Sequence, residues 1–238
     1  MKKIIILKLA PVYAVILVLF ILFAFLGNET VTVLTQNAVN TDRITVIIDA
    51  GHGGVDTGAT SCTGVMESDI NLEIALKLQD LLHLLGYPTK MIRTTDTSIY
   101  TDGNTIAAKK ISDLKNRVQI VNKTEKAILI SIHQNYFPVE KYRGAQVFYN
   151  QAGESEALAK LLQNNILSTI NPGSNRLAKK ASGVYLMQNV QKTAVLVECG
   201  FISNPEEEHL LRDSTYQKKL CSVIAATVSS FLKENLMT

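Results

Sequence analysis

Cysteine is scarce and scattered. Cys62, Cys199 and Cys221 are the three in 238 residues, an odd number at separations that fit neither a disulfide framework nor the paired spacing of a structural zinc finger. Basic runs are missing as well. The formal charge is +3, but residues 1–28 hold three lysines and no acid, which leaves 21 of the 24 Lys and Arg residues against 21 Asp and Glu. A neutral domain without a basic stripe gives no electrostatic case for nucleic acid. Neither G-x-G-x-x-G nor G-x-x-x-x-G-K-[ST] occurs, which argues against a nucleotide cradle. No internal repeat or low-complexity segment is present, and a chain with 47% hydrophobic and 19% charged residues suits one globular domain plus an appendage.

The appendage is N-terminal. Lys2 and Lys3 precede an apolar run over 9–27, whose roughly 19 residues at ~1.5 Å rise would span about 28 Å, close to a bilayer core. A cleavable signal has a shorter apolar region, roughly 7 to 15 residues, and an A-x-A-like site, and neither feature is found here. The expectation is one transmembrane helix within 1–28, an uncleaved anchor with its lysines inside. A polar tether then spans 29–43, and a domain over 44–238 lies outside the cytoplasm.

Within that domain the segment 45–78 is the centre of organisation. An apolar strand over 44–49 breaks into a loop with glycines at 51, 53, 54, 58 and 64, followed by a helix with Ile70, Ile74, Leu78, Leu81, Leu82 and Leu85 at helical spacing. Gly86 and Pro88 end that helix. Further elements follow in order: a strand over 89–94, a loop over 96–111, a helix capped by Ser112, and a buried strand over 127–132. A strand over 144–150 comes next, then a helix over 154–170, a short strand over 184–188 and a strand over 193–198. The last helix opens at a Ser214–Gln217 capping box. Strands alternating with helices imply a three-layer α/β/α sandwich around a mostly parallel sheet.

In such sheets ligands sit beyond the carboxyl ends of the strands. His52, His133 and Glu198 each follow or end an expected strand, and the glycine-rich loop can fold Glu67 back to the same edge. Two histidines and a glutamate form a catalytic zinc set with one position left open. A carboxylate not bound to metal can take a proton from water and pass it to a leaving amine, and Glu198 fits that task. Taken singly, each residue has a plainer account. His133 could end a strand on a backbone hydrogen bond, Glu198 could pair with Arg93, and Glu67 could serve the helix dipole. His83 and His209 read as surface or packing residues.

Five stretches carry a resemblance: IDAGHGG at 48–54, GVME at 64–67, Arg93-Thr94, SIHQN at 131–135 and VECGFISNP at 197–205. Together they resemble the zinc-dependent N-acetylmuramoyl-L-alanine amidases of bacterial cell walls, over about 44–232. The resemblance implies Zn²⁺ on His52, Glu67 and His133, and Glu198 as the catalytic carboxylate. It implies peptidoglycan as substrate, cut at the amide between N-acetylmuramic acid and L-alanine. The single N-terminal anchor without wall-binding repeats resembles the membrane-anchored spore-cortex type, associated with muramic-δ-lactam formation and germination, and an activating protein partner is compatible with it. Departures from the family pattern are Ala50 in place of a usual proline and Leu177 after Asn175-Arg176 in place of glycine. The rival readings are a non-catalytic peptidoglycan-binding scaffold and a zinc peptidase acting within the stem peptide.

Overall fold

The computed structural model describes residues 44–236. The anchor expected within 1–28 and the tether over 29–43 lie outside the described residues, and among the described residues no helix is long and apolar enough to cross a membrane. In chain order the elements are β1 (Thr45–Ala50), α1 (Glu67–Leu84), β2 (Thr89–Met91), α2 (Ile106–Lys123), β3 (Ala127–Asn135) and β4 (Gln146–Tyr149). These are followed by α3 (Ser155–Thr169), β5 (Lys179–Lys180), α4 (Tyr185–Asn189), β6 (Thr193–Phe201), α5 (Pro205–Arg212) and α6 (Ser214–Leu236). The strands form one sheet in the order β2-β1-β3-β6-β4-β5. The β2-β1-β3-β6 part is parallel, and β4 runs antiparallel to β6.

Side chains alternate across a sheet, and here the alternation divides two unequal cores. Val46, Ile48, Ile128, Ile130, Ile132, Val195 and Val197 face the layer built by α1, α3 and α6. Ile47, Leu129 and Leu196 face the other way, toward Val121 of α2 and Leu186 and Met187 of α4. That second cover is thin, since α4 has five residues. Continuing the same alternation, Asp49, Ser131, His133 and Glu198 project on the thinly covered face at the carboxyl edge.

Several expectations need correction. The α2 helix begins before Ser112: Thr105 is its cap and accepts from the Ala108 amide, while the Ser112 hydroxyl accepts from the Thr101 and Asp102 amides. The segment 184–188 is helical rather than extended, because Leu186, Met187 and Val190 bury a helical stripe, and a short apolar run does not distinguish the two periods. Leu85 is half exposed at the end of α1 and is not a core residue. At the start of α6 the cap is Asp213, whose carboxylate accepts from the Tyr216 amide; Gln217 instead donates to Glu73 and to the Leu211 carbonyl. Helix α5 was not anticipated, although Asn204 caps it and Pro205 opens it.

Candidate metal centre and active site

The site starts at the end of β1. His52 adopts φ +61°, a left-handed conformation rare outside glycine, and a buried guanidinium holds the chain in that turn. Arg117, 2% exposed, donates to the carbonyls of Ala50 at 3.0 Å and His52 at 2.7 Å, and to the carboxylates of Asp49 at 2.5 Å and Asp113 at 2.6 Å. Arg93 braces the other side by donating to the carbonyls of Ala50, Gly51, Ser68 and Thr95. It does not pair with Glu198, so the plainer account of that carboxylate is set aside. At Gly51 any Cβ would run into the His133 ring, so this position needs glycine for the close approach of backbone to imidazole.

Glu67 opens α1 and turns its carboxylate inward. Its Oε1 lies 3.3 Å from His52 Nε2 and 3.0 Å from His133 Nδ1, and accepts from Asn71 at 3.2 Å and the Gln134 amide at 3.1 Å; Oε2 accepts from the Ala59 amide at 2.9 Å. The imidazoles meet edge to face with centroids 4.9 Å apart. The three donor atoms lie within 4.8 Å of one another. His52 Nδ1 is held by Asp56 at 2.9 Å, which leaves Nε2 aimed at Glu67, and Lys110 anchors Asp56 at 3.0 Å.

The electrostatics follow from this crowding. Burial opposes charge on His52, yet its hydrogen bonds to Asp56 and Glu67 prevail and raise its pKa to about 9. Burial would likewise raise Glu67, but the two histidines hold it far below the usual carboxylate range. Such a cluster, with two imidazole nitrogens and one carboxylate oxygen converging and the far nitrogen of one imidazole fixed by a second carboxylate, fits zinc with an open fourth position.

Glu198 stands directly beside His133 in the β3–β6 register. Its Oε2 is enclosed and has no hydrogen-bond partner among the described residues. Burial pushes its pKa up to about 7; the Glu67 charge adds to this, while His133 and His52 oppose it. A carboxyl poised there can both take and return a proton near neutral pH. Just beyond, β6 carries one extra residue relative to β3, since His133 pairs with Glu198 but Asn135 with Phe201. Such bulges bend a strand and re-aim side chains.

All four residues singled out in the sequence thus meet at one edge, while His83 is an exposed residue beside Thr89 and His209 is an exposed residue of α5. Three supporting residues of the site, Asp56, Arg117 and Asn71, carry no assignment from the sequence. Signals were available for two of these. Asp56 follows His52 by four residues within a glycine-rich loop, and Asn71 follows Glu67 by four on one helix face. Arg117 sits among ordinary polar helix residues, and nothing local marks it.

The chain is similar to known proteins in sequence and in fold. The N-acetylmuramoyl-L-alanine amidase family matches residues 46–230. The germination-specific N-acetylmuramoyl-L-alanine amidase of Bacillus subtilis is 38% identical over 191 residues, covering 79% of this chain and 80% of its own. Among solved structures, the CwlD amidase from Clostridioides difficile in complex with the GerS lipoprotein superposes with a TM-score of 0.77 at 37% identity, over 80% of this chain and 99% of that one. An N-acetylmuramoyl-L-alanine amidase from Clostridium difficile 630 gives 0.71 at 30%, over 81% and 98%. With the family spanning most of the domain and relatives above 30% identity, the chain belongs to the N-acetylmuramoyl-L-alanine amidases.

Proposed function

We propose that this amidase is zinc-dependent and hydrolyses the amide between the lactyl group of N-acetylmuramic acid and the L-alanine of the stem peptide during spore-cortex maturation. The observation that carries the chemistry is the convergence of His52, Glu67 and His133 beside a Glu198 oxygen that is enclosed and unpartnered. His52, Glu67 and His133 would hold the metal, which when bound supplies a Lewis acid that polarises a carbonyl and acidifies water. Glu198 takes a proton from the attacking water and returns it to the departing alanine nitrogen, and Asp56 keeps His52 in the tautomer that presents Nε2. The cortex role is supported by the likeness to the germination-specific relative. The product would be glycan free of stem peptide, the precursor from which muramic-δ-lactam forms.

The apolar run over 9–27 supports a membrane anchor with the catalytic domain outside the cytoplasm. The complex of the relative with its lipoprotein supports a protein partner of the same kind for this chain. Paired variants test the assignment of roles. Glu198→Ala is expected to retain zinc and lose turnover, whereas His52→Ala and His133→Ala lose the metal. Turnover persisting in Glu198→Ala would remove that residue from the chemistry.

A further inference from the structure

The row of polar side chains at the sheet edge does not end at Glu198. Gln146 of β4 is the direct cross-strand partner of Glu198, and side chains of directly opposed residues lie on the same face about 5 Å apart. Gln146 is buried, and both polar atoms of its amide are engaged: Nε2 donates to the Leu177 carbonyl at 2.9 Å and Oε1 accepts from Arg176 Nη1 at 2.8 Å. Arg176 also donates through Nε to the Arg143 carbonyl at 2.9 Å, and its guanidinium lies 4.8 Å from the centroid of the Phe201 ring. Gly144 adopts φ +92°, and a Cβ there would lie 3.3 Å from the Ser174 hydroxyl and in ordinary contact with the Arg176 stem at 3.6 Å.

This guanidinium is fixed on three sides and, among the described residues, forms no ion pair with a carboxylate, although its charge acts on the nearby Glu207. Its neighbours' charges are already engaged. Glu207, the buried acid in the same cleft, accepts from the Gly144 and Phe201 amides, and Arg143 pairs with Glu206 at 2.5 Å. Lys141 stands over the Tyr142 ring. The cleft itself measures about 670 Å³ and is lined by Arg143, Gly144, Asn171, Ser174, Arg176 and Glu207. An immobilised arginine with open donors is a preorganised receptor for a carboxylate.

We propose that Arg176 forms a carboxylate subsite that receives the free α-carboxylate of the second stem-peptide residue. The inference rests on the amidase reading of the adjoining site. It follows from reach: with the scissile carbonyl beside Glu198, a carboxylate two residues along the peptide lies at most about 7 Å away. Arg176 stands one strand spacing, about 4.8 Å, and one hydrogen bond beyond Glu198. The subsite distinguishes the free acid of that residue from its amide, and so sets which peptidoglycan chemistry the enzyme prefers.

The test is the affinity of two synthetic stem peptides, each beginning with free L-alanine and therefore not hydrolysable at the bond in question. They are identical except that residue two bears either a free α-carboxylate or its primary amide. Calorimetric titration into the zinc-loaded full-length chain should give about tenfold to a hundredfold tighter binding of the acid, and Arg176→Gln should bind both equally. Equal affinities in the unmodified chain, a preference that survives in Arg176→Gln, or binding of neither peptide overturns the subsite. Release of stem peptides from purified peptidoglycan by the same protein reports on the amidase reading separately, so loss of one does not imply loss of the other.

Discussion

Replacing Arg117 with methionine keeps the volume of the side chain roughly constant and deletes its charge. In the intact protein Arg117 is the shared partner of the carboxylates of Asp49 and Asp113, and it donates to the Ala50 and His52 carbonyls that shape the glycine-rich loop. Asp49 is 1% exposed, and without the guanidinium its one remaining side-chain donor among the described residues is the Ser131 hydroxyl at 2.7 Å. Removing one partner of a buried ion pair costs about 3–5 kcal/mol. For a domain of this size that lowers Tm by roughly 6–20 °C at about 2–4 °C per kcal/mol.

The pH dependence supplies an independent sign. Burial opposes ionisation of Asp49, but Arg117 and His133 hold its pKa below the ordinary 3.8 in the intact protein. Its contribution to stability is therefore present above that value and is lost as pH falls through the folded pKa. In Arg117→Met, burial without the cation raises the folded pKa above the unfolded one, so the variant loses stability as pH rises. The gap between the two proteins should widen from pH 5 to pH 8. Urea denaturation with a chelator present, so that metal linkage does not enter, reads both quantities. A difference below 1 kcal/mol that does not change with pH would refute the reasoning.

Asp56→Asn removes the carboxylate that fixes His52 Nδ1 at 2.9 Å, and zinc affinity should fall about 10- to 100-fold by competitive chelator titration. Because His52 has its pKa raised to about 9 in the metal-free chain, binding zinc near pH 7 must displace its proton. Affinity should therefore rise with pH until about 9, and calorimetry in buffers of different ionisation heat should register the released proton. Affinity independent of pH between 6.5 and 8 would contradict this. Gly51→Ala puts a methyl group against the His133 ring, and zinc content after dialysis should drop sharply.

The proposed metal ligands were legible in the sequence because each stands at a place where local pattern reports tertiary position. Strand periodicity and the parallel-sheet rule bring His52, His133 and Glu198 to one edge, and the glycines announce the loop that returns Glu67. The supporting groups were less visible. Arg117 reaches Asp49 across 68 residues, a contact decided by how α2 packs on the sheet. The short segment around Leu186 failed for a related reason: five residues supply too little periodicity, and packing against α2 selects helix over strand. At Ser112 a sound capping residue was outranked by Thr105, because the intervening Ile-Ala-Ala-Lys-Lys-Ile stretch over 106–111 is rich in good helix formers and continues the helix.

Digestion of purified peptidoglycan by the zinc-loaded full-length chain, with the products identified by mass spectrometry, tests the central claim most directly. The account predicts stem peptides that begin with free L-alanine, together with glycan bearing bare lactyl groups. Cuts inside the stem with the lactyl amide intact, or no release while zinc is demonstrably bound, would contradict it.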